Sequence, residues 1–313
     1  MTSDSAADAR DLAGLLAAGE RAAFHGRPGS GVEPLSRAVE AAVTADLEIE
    51  AMAAGWLLGV CLGATGRYGG ALRVLDPLVV SAQTPEGRLL GALAASTVAS
   101  VHRQLGRHSV AQGYDEMALE VSQGAGEAGF DGLLGLAADA VGLGQAEAAA
   151  GRLAEAAALV VDRPDWWRQR VRAGWVRAEV ALLEGRPADA VVAAGEAVEL
   201  AEQSGAPRHV AKGLLFLGVA HVEEGHPDEA TAALRRGALL AESLGALPLL
   251  WPVRAVLGTL LAESDPAESE RSLAAARSAV GEIAADLPAE LRDEWLTRPD
   301  VAALLGSSPA GGG

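Results

Sequence analysis

The residues that could carry chemistry are few and poorly grouped. There are six histidines (His25, His102, His108, His209, His221 and His226) and a single cysteine, Cys61. No histidine stands in an HExxH spacing or beside a cysteine, so no zinc site is expected, and no cofactor. The histidines read as packed or capped imidazoles rather than ligands or bases. Cys61 lies in an apolar stretch with Leu58, Val60 and Leu62, where a lone thiol packs, and one cysteine cannot form a disulfide within the chain. The carboxylate pairs Glu223-Glu224 and Asp228-Glu229, with Glu268 and Glu270, fall at turns or helix starts, where they favour the helix dipole rather than acid–base catalysis. No Gly-x-Ser-x-Gly elbow occurs. With Lys212 the only lysine, no Gly-x-x-x-x-Gly-Lys phosphate loop forms, and the glycines at 26–31 lack a strand-to-helix context. No catalytic residue is assigned, and the chain reads as a non-enzyme. What remains is binding chemistry. Trp166, Trp167 and Trp175 lie beside Arg168, Arg170 and Arg172, the residue types most enriched in binding hot spots and able to form cation–π contacts. The alternative is that Trp166 and Trp167 fill a packing gap.

The elements that must position these groups follow from an internal period. Gly19, Gly59 and Ala99 are spaced by 40, as are Ala178, Gly218 and Gly258. Turn glycines repeat the beat at Gly26, Gly66, Gly106, Gly151, Gly185 and Gly225, with off-beat intervals of 45 and 34 on either side of Gly151. From Gly66 onward an alanine follows each by five: Ala71, Ala111, Ala156, Ala190 and Ala230. Small residues at the close approach of two amphipathic helices and glycine at their turn predict stacked helix pairs, and the period predicts a helical solenoid. Expected helices include Asp11–His25, a third outer helix opened by Pro85-Glu86, Leu133–Ala150 after a glycine-rich linker at 124–132, and Leu153–Val161. The expected organisation is a disordered lead (1–10), a solenoid (11–285, irregular near 124–165), a C-terminal cap (286–306) and a flexible end (307–313). The fold class is all-α, a right-handed α-solenoid of about seven antiparallel helix pairs, without strands.

These residues resemble tetratricopeptide repeats. The Leu-Gly before the turn (Leu58-Gly59, Leu143-Gly144, Leu217-Gly218, Leu257-Gly258), the turn glycine and the later alanine all match over roughly residues 11–285. The repeats are longer than the family's usual length and look like the sensor regions of bacterial multi-domain regulators. The resemblance implies that the first helix of each pair lines a concave groove, through positions three before, one after and four after the small residue. Those positions give Trp56, Val60, Ser96, Ser100, Arg103, Gln145, Trp175, Glu179, Leu182, Leu215 and Val219, with Gln104 and Arg172 beside them. The implied groove is largely apolar with one polar band at Ser96, Ser100, Arg103 and Gln104. The carboxylate clamp of some members, made from Lys and Asn, is not expected in a chain without asparagine.

A formal net charge of −17 repels phosphate backbones and anionic lipid, which excludes bulk nucleic acid and membrane surfaces as partners. No signal-like start or spanning segment is read, so the expected location is cytoplasmic. The rarity of Lys, Ile and Asn suits a high-GC bacterial genome. The expected function is a noncatalytic scaffold binding a partner protein segment in the groove. The alternative is a sensor holding a small hydrophobic ligand there, and a homodimer is a further allowed assembly.

Overall fold

The computed structural model describes residues 3–81 and 87–306, with the side chains of 3–10 left aside. The expected helix start at Pro85-Glu86 and the flexible end at 307–313 lie outside the described residues. Helices α1 (Ser3–His25) and α2 (Val32–Thr44), joined through a short 3-10 turn (Pro28–Gly31), make the first pair. They are followed by α3 (Glu48–Ala64) with α4 (Tyr68–Ser81), and α5 (Arg88–Gln104) with α6 (His108–Val121). Next come α7 (Gly126–Gly142) with α8 (Ala146–Ala158), and α9 (Trp167–Leu183) with α10 (Pro187–Gln203). The last pairs are α11 (Pro207–Glu224) with α12 (Pro227–Leu244), and α13 (Leu247–Leu260) with α14 (Pro266–Asp286). Two short helices, α15 (Ala289–Leu296) and α16 (Pro299–Leu305), complete the described chain. Among the described residues there are seven consecutive antiparallel pairs and no strand, the architecture of a tetratricopeptide-like solenoid. No helix among them is long and apolar enough to cross a membrane.

Several boundaries differ from the sequence reading. Helix α1 begins at Ser3 rather than Asp11. The largest correction concerns Gly151, which lies inside α8, whereas the turn is made by Gly144 at φ 72°. With Gly144 the beat runs Gly26, Gly66, Gly106, Gly144, Gly185, Gly225, and the irregular repeat disappears. The alanine five residues on is then Ala149 rather than Ala156. Ala71, Ala111, Ala149, Ala190 and Ala230 are all completely buried, because each sits where its helix crosses the one before. The glycine-rich stretch read as a linker is the first half of α7. A Cβ on Gly135 would lie 2.0 Å from the Asp115 carboxylate, and one on Gly132 would lie 2.9 Å from the Asp115 carbonyl oxygen. These glycines are helical because they let α7 press against α6, a tertiary demand that overrides their poor helix propensity.

The first helices of the pairs (α1, α3, α5, α7, α9, α11 and α13) touch one another in sequence and form the inner layer. The superhelix then closes on itself. Helix α14 packs on α4, and the Gly70 N–H donates to Asp286 Oδ2 at 3.0 Å. The Arg298 guanidinium donates to the Gln104 carbonyl at 2.7 Å and faces the Trp251 ring at 5.4 Å. Ile283, Leu287, Trp295 and Val301 share one apolar core with Leu62, Tyr68 and Leu75 from the early repeats. On another side α1 touches α11, and Trp167 stands between His25 and His209 with ring centres at 5.3 and 5.1 Å.

Candidate ligand-binding cavity

Closure leaves a central cavity of about 290 Å³ walled by α1 and the inner helices α3 to α13. Phe24, Trp56, Val60, Leu134, Ala138, Trp175, Val176, Leu215, Pro248 and Leu249 supply its apolar surface. Its charged lining is Arg103, Asp131, Arg168, Arg172, Glu179, Arg208 and Lys212.

The charged residues are placed by the repeat. Counting back from the small residue of each inner helix (Ala137, Ala178, Gly218), the positions ten and six before it are Glu127 and Asp131, then Arg168 and Arg172, then Arg208 and Lys212. Neighbouring helices bring equivalent positions side by side. The acidic rung of α7 therefore meets the basic rung of α9: Arg168 pairs with Glu127 at 2.9 Å, and Arg172 with Asp131. The basic rung of α11 has the basic rung of α9 as its neighbour. Among the described residues neither Arg208 nor Lys212 forms an ion pair, and Arg208 Nε is buried without an acceptor in the chain. Burial, with Arg172 and Arg168 nearby, lowers Arg208 to about 10, Cys61 opposing. Lys212 stands 4.8 Å from the Trp175 ring centre and is lowered to about 8, chiefly by burial, with Arg172, Arg103 and Arg208 adding and Glu179 opposing. Burial raises Glu179. His209 stacks on Trp175 at 5.4 Å and is held well below the ordinary imidazole range by burial and the surrounding cations.

Arg103 serves a structural cluster. It pairs with Asp115, and its Nε donates to Asp139 at 2.9 Å, while His108 Nδ1 lies 3.0 Å from Asp139. Burial would lower the guanidinium, but the two carboxylates outweigh it and raise it. Burial, with Asp139 adding, lifts Asp115 above the usual carboxylate range against the pull of Arg103. The cluster locks α5, α6 and α7 together behind the cavity wall.

Of the groove positions implied by the repeat resemblance, Trp56, Val60, Ser96, Ser100, Arg103, Gln104, Arg172, Trp175, Glu179 and Leu215 line this cavity. Besides the paired Arg103 and Arg172, two have committed polar atoms: Trp56 Nε1 donates to Thr97 Oγ1 at 3.1 Å, and Gln104 Oε1 accepts from the Tyr68 hydroxyl at 2.9 Å. Three do not line it. Gln145 is exposed in the α7–α8 turn, because its placement used Gly144 as the close-approach residue when that residue is Ala137. Leu182 packs with Ala178 and Ala181 beside α10 and α11. Val219 is half-buried and does not line the cavity. Trp166 fills the core between α7, α8 and α9 beside Phe130, and Arg170 is exposed. Burial pushes the Cys61 thiol up to about 11, an unreactive state. The sequence reading missed Phe24, Asp131, Arg208, His209 and Lys212 as wall residues, and Arg168, singled out only within the tryptophan–arginine cluster, joins them there. For those on α7, α9 and α11 the signal was the same helical face carried back two and three turns from the small residue, whereas Phe24 lies five residues after Gly19. The last turn of α11 and the turn after it also gather His221, Glu224 and His226, which linear spacing had not suggested, with Glu224 Oε2 3.3 Å from His226 Nδ1.

The chain matches no protein-family model and no curated protein. Its fold does match solved structures. A Rap protein complexed with Competence and Sporulation Factor superposes with a TM-score of 0.66 at 12% identity, covering 97% of this chain and 89% of that one. Aspartyl phosphate phosphatase F from Bacillus subtilis gives 0.52 at 12% identity, covering 87% and 73%. At this identity the likeness is one of fold, and it places the chain among tetratricopeptide-like helical repeat structures.

Proposed function

We propose that the protein is a noncatalytic ligand-sensing module whose central cavity holds a small molecule with an apolar body. One observation carries this reading: seven inner helices close on a cavity that combines aromatic walls with buried charged groups. A groove for an extended partner segment runs open along several repeats. Here α14 packs on α4, α1 touches α11 and Arg298 reaches Gln104, so early and late repeats are in contact. The cavity volume stands near the lower end of small-molecule sites, which run from about 300 to 1,000 Å³. A partner protein segment is the second reading. It draws support from the Rap structure of similar fold, which is complexed with Competence and Sporulation Factor.

Native mass spectrometry of the freshly purified full chain tests the proposal. The expected result is a retained small molecule, or, from empty protein, saturable uptake of one from a compound set, weakened by Trp175→Ala. Uptake of peptides only, with no small molecule retained or bound, would overturn it in favour of the second reading.

A further inference from the structure

The cavity's charges do not balance locally, and the imbalance has one address. Arg168 and Arg172 are paired with the carboxylates of α7, and Arg103 with Asp115 and Asp139. Arg208 and Lys212 lie one turn apart on α11, four residues being the spacing that puts two side chains on the same helical face. Holding unpaired cations in a low-dielectric interior is strongly unfavourable unless something neutralises them. Lys212 is the only lysine in the sequence, in a chain whose net charge is −17 and whose 42 Asp and Glu outnumber its 25 Lys and Arg. General solubility therefore does not account for placing it inside. Glu179 faces Lys212 from α9 but forms no ion pair with it, and Asp131 is taken by Arg172. Further polar atoms without a partner in the chain gather in the same wall: Ser96 Oγ, Trp175 Nε1 and His209 Nδ1, on side chains at most 7% exposed, together with Arg208 Nε. Beside these cations Trp56 and Trp175 line the chamber with Val60 and Leu215.

We infer that Arg208 and Lys212 are the recognition point for a carboxylate, so that the ligand is a small amphipathic acid. Its apolar body lies against Trp56, Trp175 and Leu215, and its carboxylate between the two cations of α11. Arg208 offers a planar pair of donors suited to a carboxylate, and Lys212 adds a point charge. This inference rests on the reading that the cavity holds a ligand, and deepens it by naming the ligand's chemistry.

The test compares 3-phenylpropanoate with 3-phenylpropanamide, nearly isosteric and differing in charge, by calorimetry at pH 7 on the full chain. The variants are Arg208→Gln and Lys212→Gln, with Arg170→Gln as an exposed control and helical content checked by circular dichroism. The acid is expected to bind at least tenfold tighter than the amide to the unaltered protein and to Arg170→Gln. In both cavity variants that ratio should fall towards one. A second measurement needs no variant. With 13C-labelled lysine the chain gives one lysine side-chain NMR signal, whose titration midpoint should rise by at least half a pH unit when the acid is bound and stay put with the amide. Equal binding of acid and amide, or a lysine signal indifferent to the acid, would overturn the carboxylate site while leaving the cavity reading intact. Failure of both probes to bind would overturn both.

Discussion

Gly69→Ala should open the ring that encloses the cavity. Gly69 sits in the first turn of α4, and a Cβ built there would lie 2.2 Å from the Asp286 carbonyl oxygen and 3.2 Å from its carboxylate. An ordinary carbon–oxygen contact needs about 3.3 Å or more, so the end of α14 must retreat by roughly 1 Å. The clash is with backbone, which cannot rotate away. The same retreat stretches the hydrogen bond from the Gly70 N–H to Asp286 Oδ2, now 3.0 Å, past the useful range. Overpacking costs about 1–3 kcal/mol and a hydrogen bond to a charged group is worth about 1.5–3 kcal/mol, against a helix-propensity gain of at most about 1 kcal/mol. A net weakening of the α4–α14 contact of at least about 1.5 kcal/mol follows from the low ends of these ranges, which corresponds to roughly tenfold or faster exchange of the amides that open with α14–α16. Hydrogen-exchange mass spectrometry of residues 266–306 reads this directly, with Gly113→Ala as control. Gly113 is an exposed helical glycine with no atom within 4 Å of its added Cβ, so that substitution gains propensity without a clash. Unchanged protection of 266–306 in Gly69→Ala would refute the claim that this contact closes the ring.

Gly151→Ala should stabilise the protein by about 0.5–1 kcal/mol in urea unfolding, because Gly151 is mid-helix with open space around it. Gly144→Ala, at φ 72°, should destabilise it by about 1–2 kcal/mol; the opposite order would restore Gly151 as the turn. Arg103→Gln leaves Asp115 and Asp139 buried without their cation and should cost about 3–5 kcal/mol by the same assay. Binding of 3-phenylpropanoate should weaken as pH rises through about 8, where Lys212 loses its proton among Glu179 and Arg172 of α9, Arg103 of α5 and Arg208 of its own helix. Since that pKa is depressed in the folded state, the penalty for the buried charge is fully present below 8. It is relieved as pH climbs towards the unfolded value of about 10.4, so this group makes stability rise over that window. Lys212→Gln should flatten both profiles. Trp175→Ala should weaken the same ligand by about 2 kcal/mol or more if the ring is an anchor, measured by calorimetry; unchanged affinity would remove Trp175 from the site.

What was legible in the sequence was the repeat. Paired helices announce themselves through local rules, small residues at a crossing and glycine at a left-handed turn, and these recur whatever the chain later does. The resemblance to tetratricopeptide repeats, read along that spacing, implied an inner face for Trp56, Ser96, Arg103, Trp175 and Leu215. It erred where two glycines competed. Gly144 and Gly151 are equal as letters, and only the buried partners of Ala137 and Ala149 show which one turns the chain. Spacing also carried no trace of closure. That Gly66 and Gly69 lie beneath α14, or that Arg298 reaches Gln104, depends on the sum of small rotations over seven stacked pairs. The unpaired state of Arg208 and Lys212 is of the same kind: their identity is in the sequence, while the lack of a carboxylate opposite them exists only once the neighbouring helices are side by side. Local spacing sets which face a residue occupies, and the accumulated twist of the stack decides what that face meets.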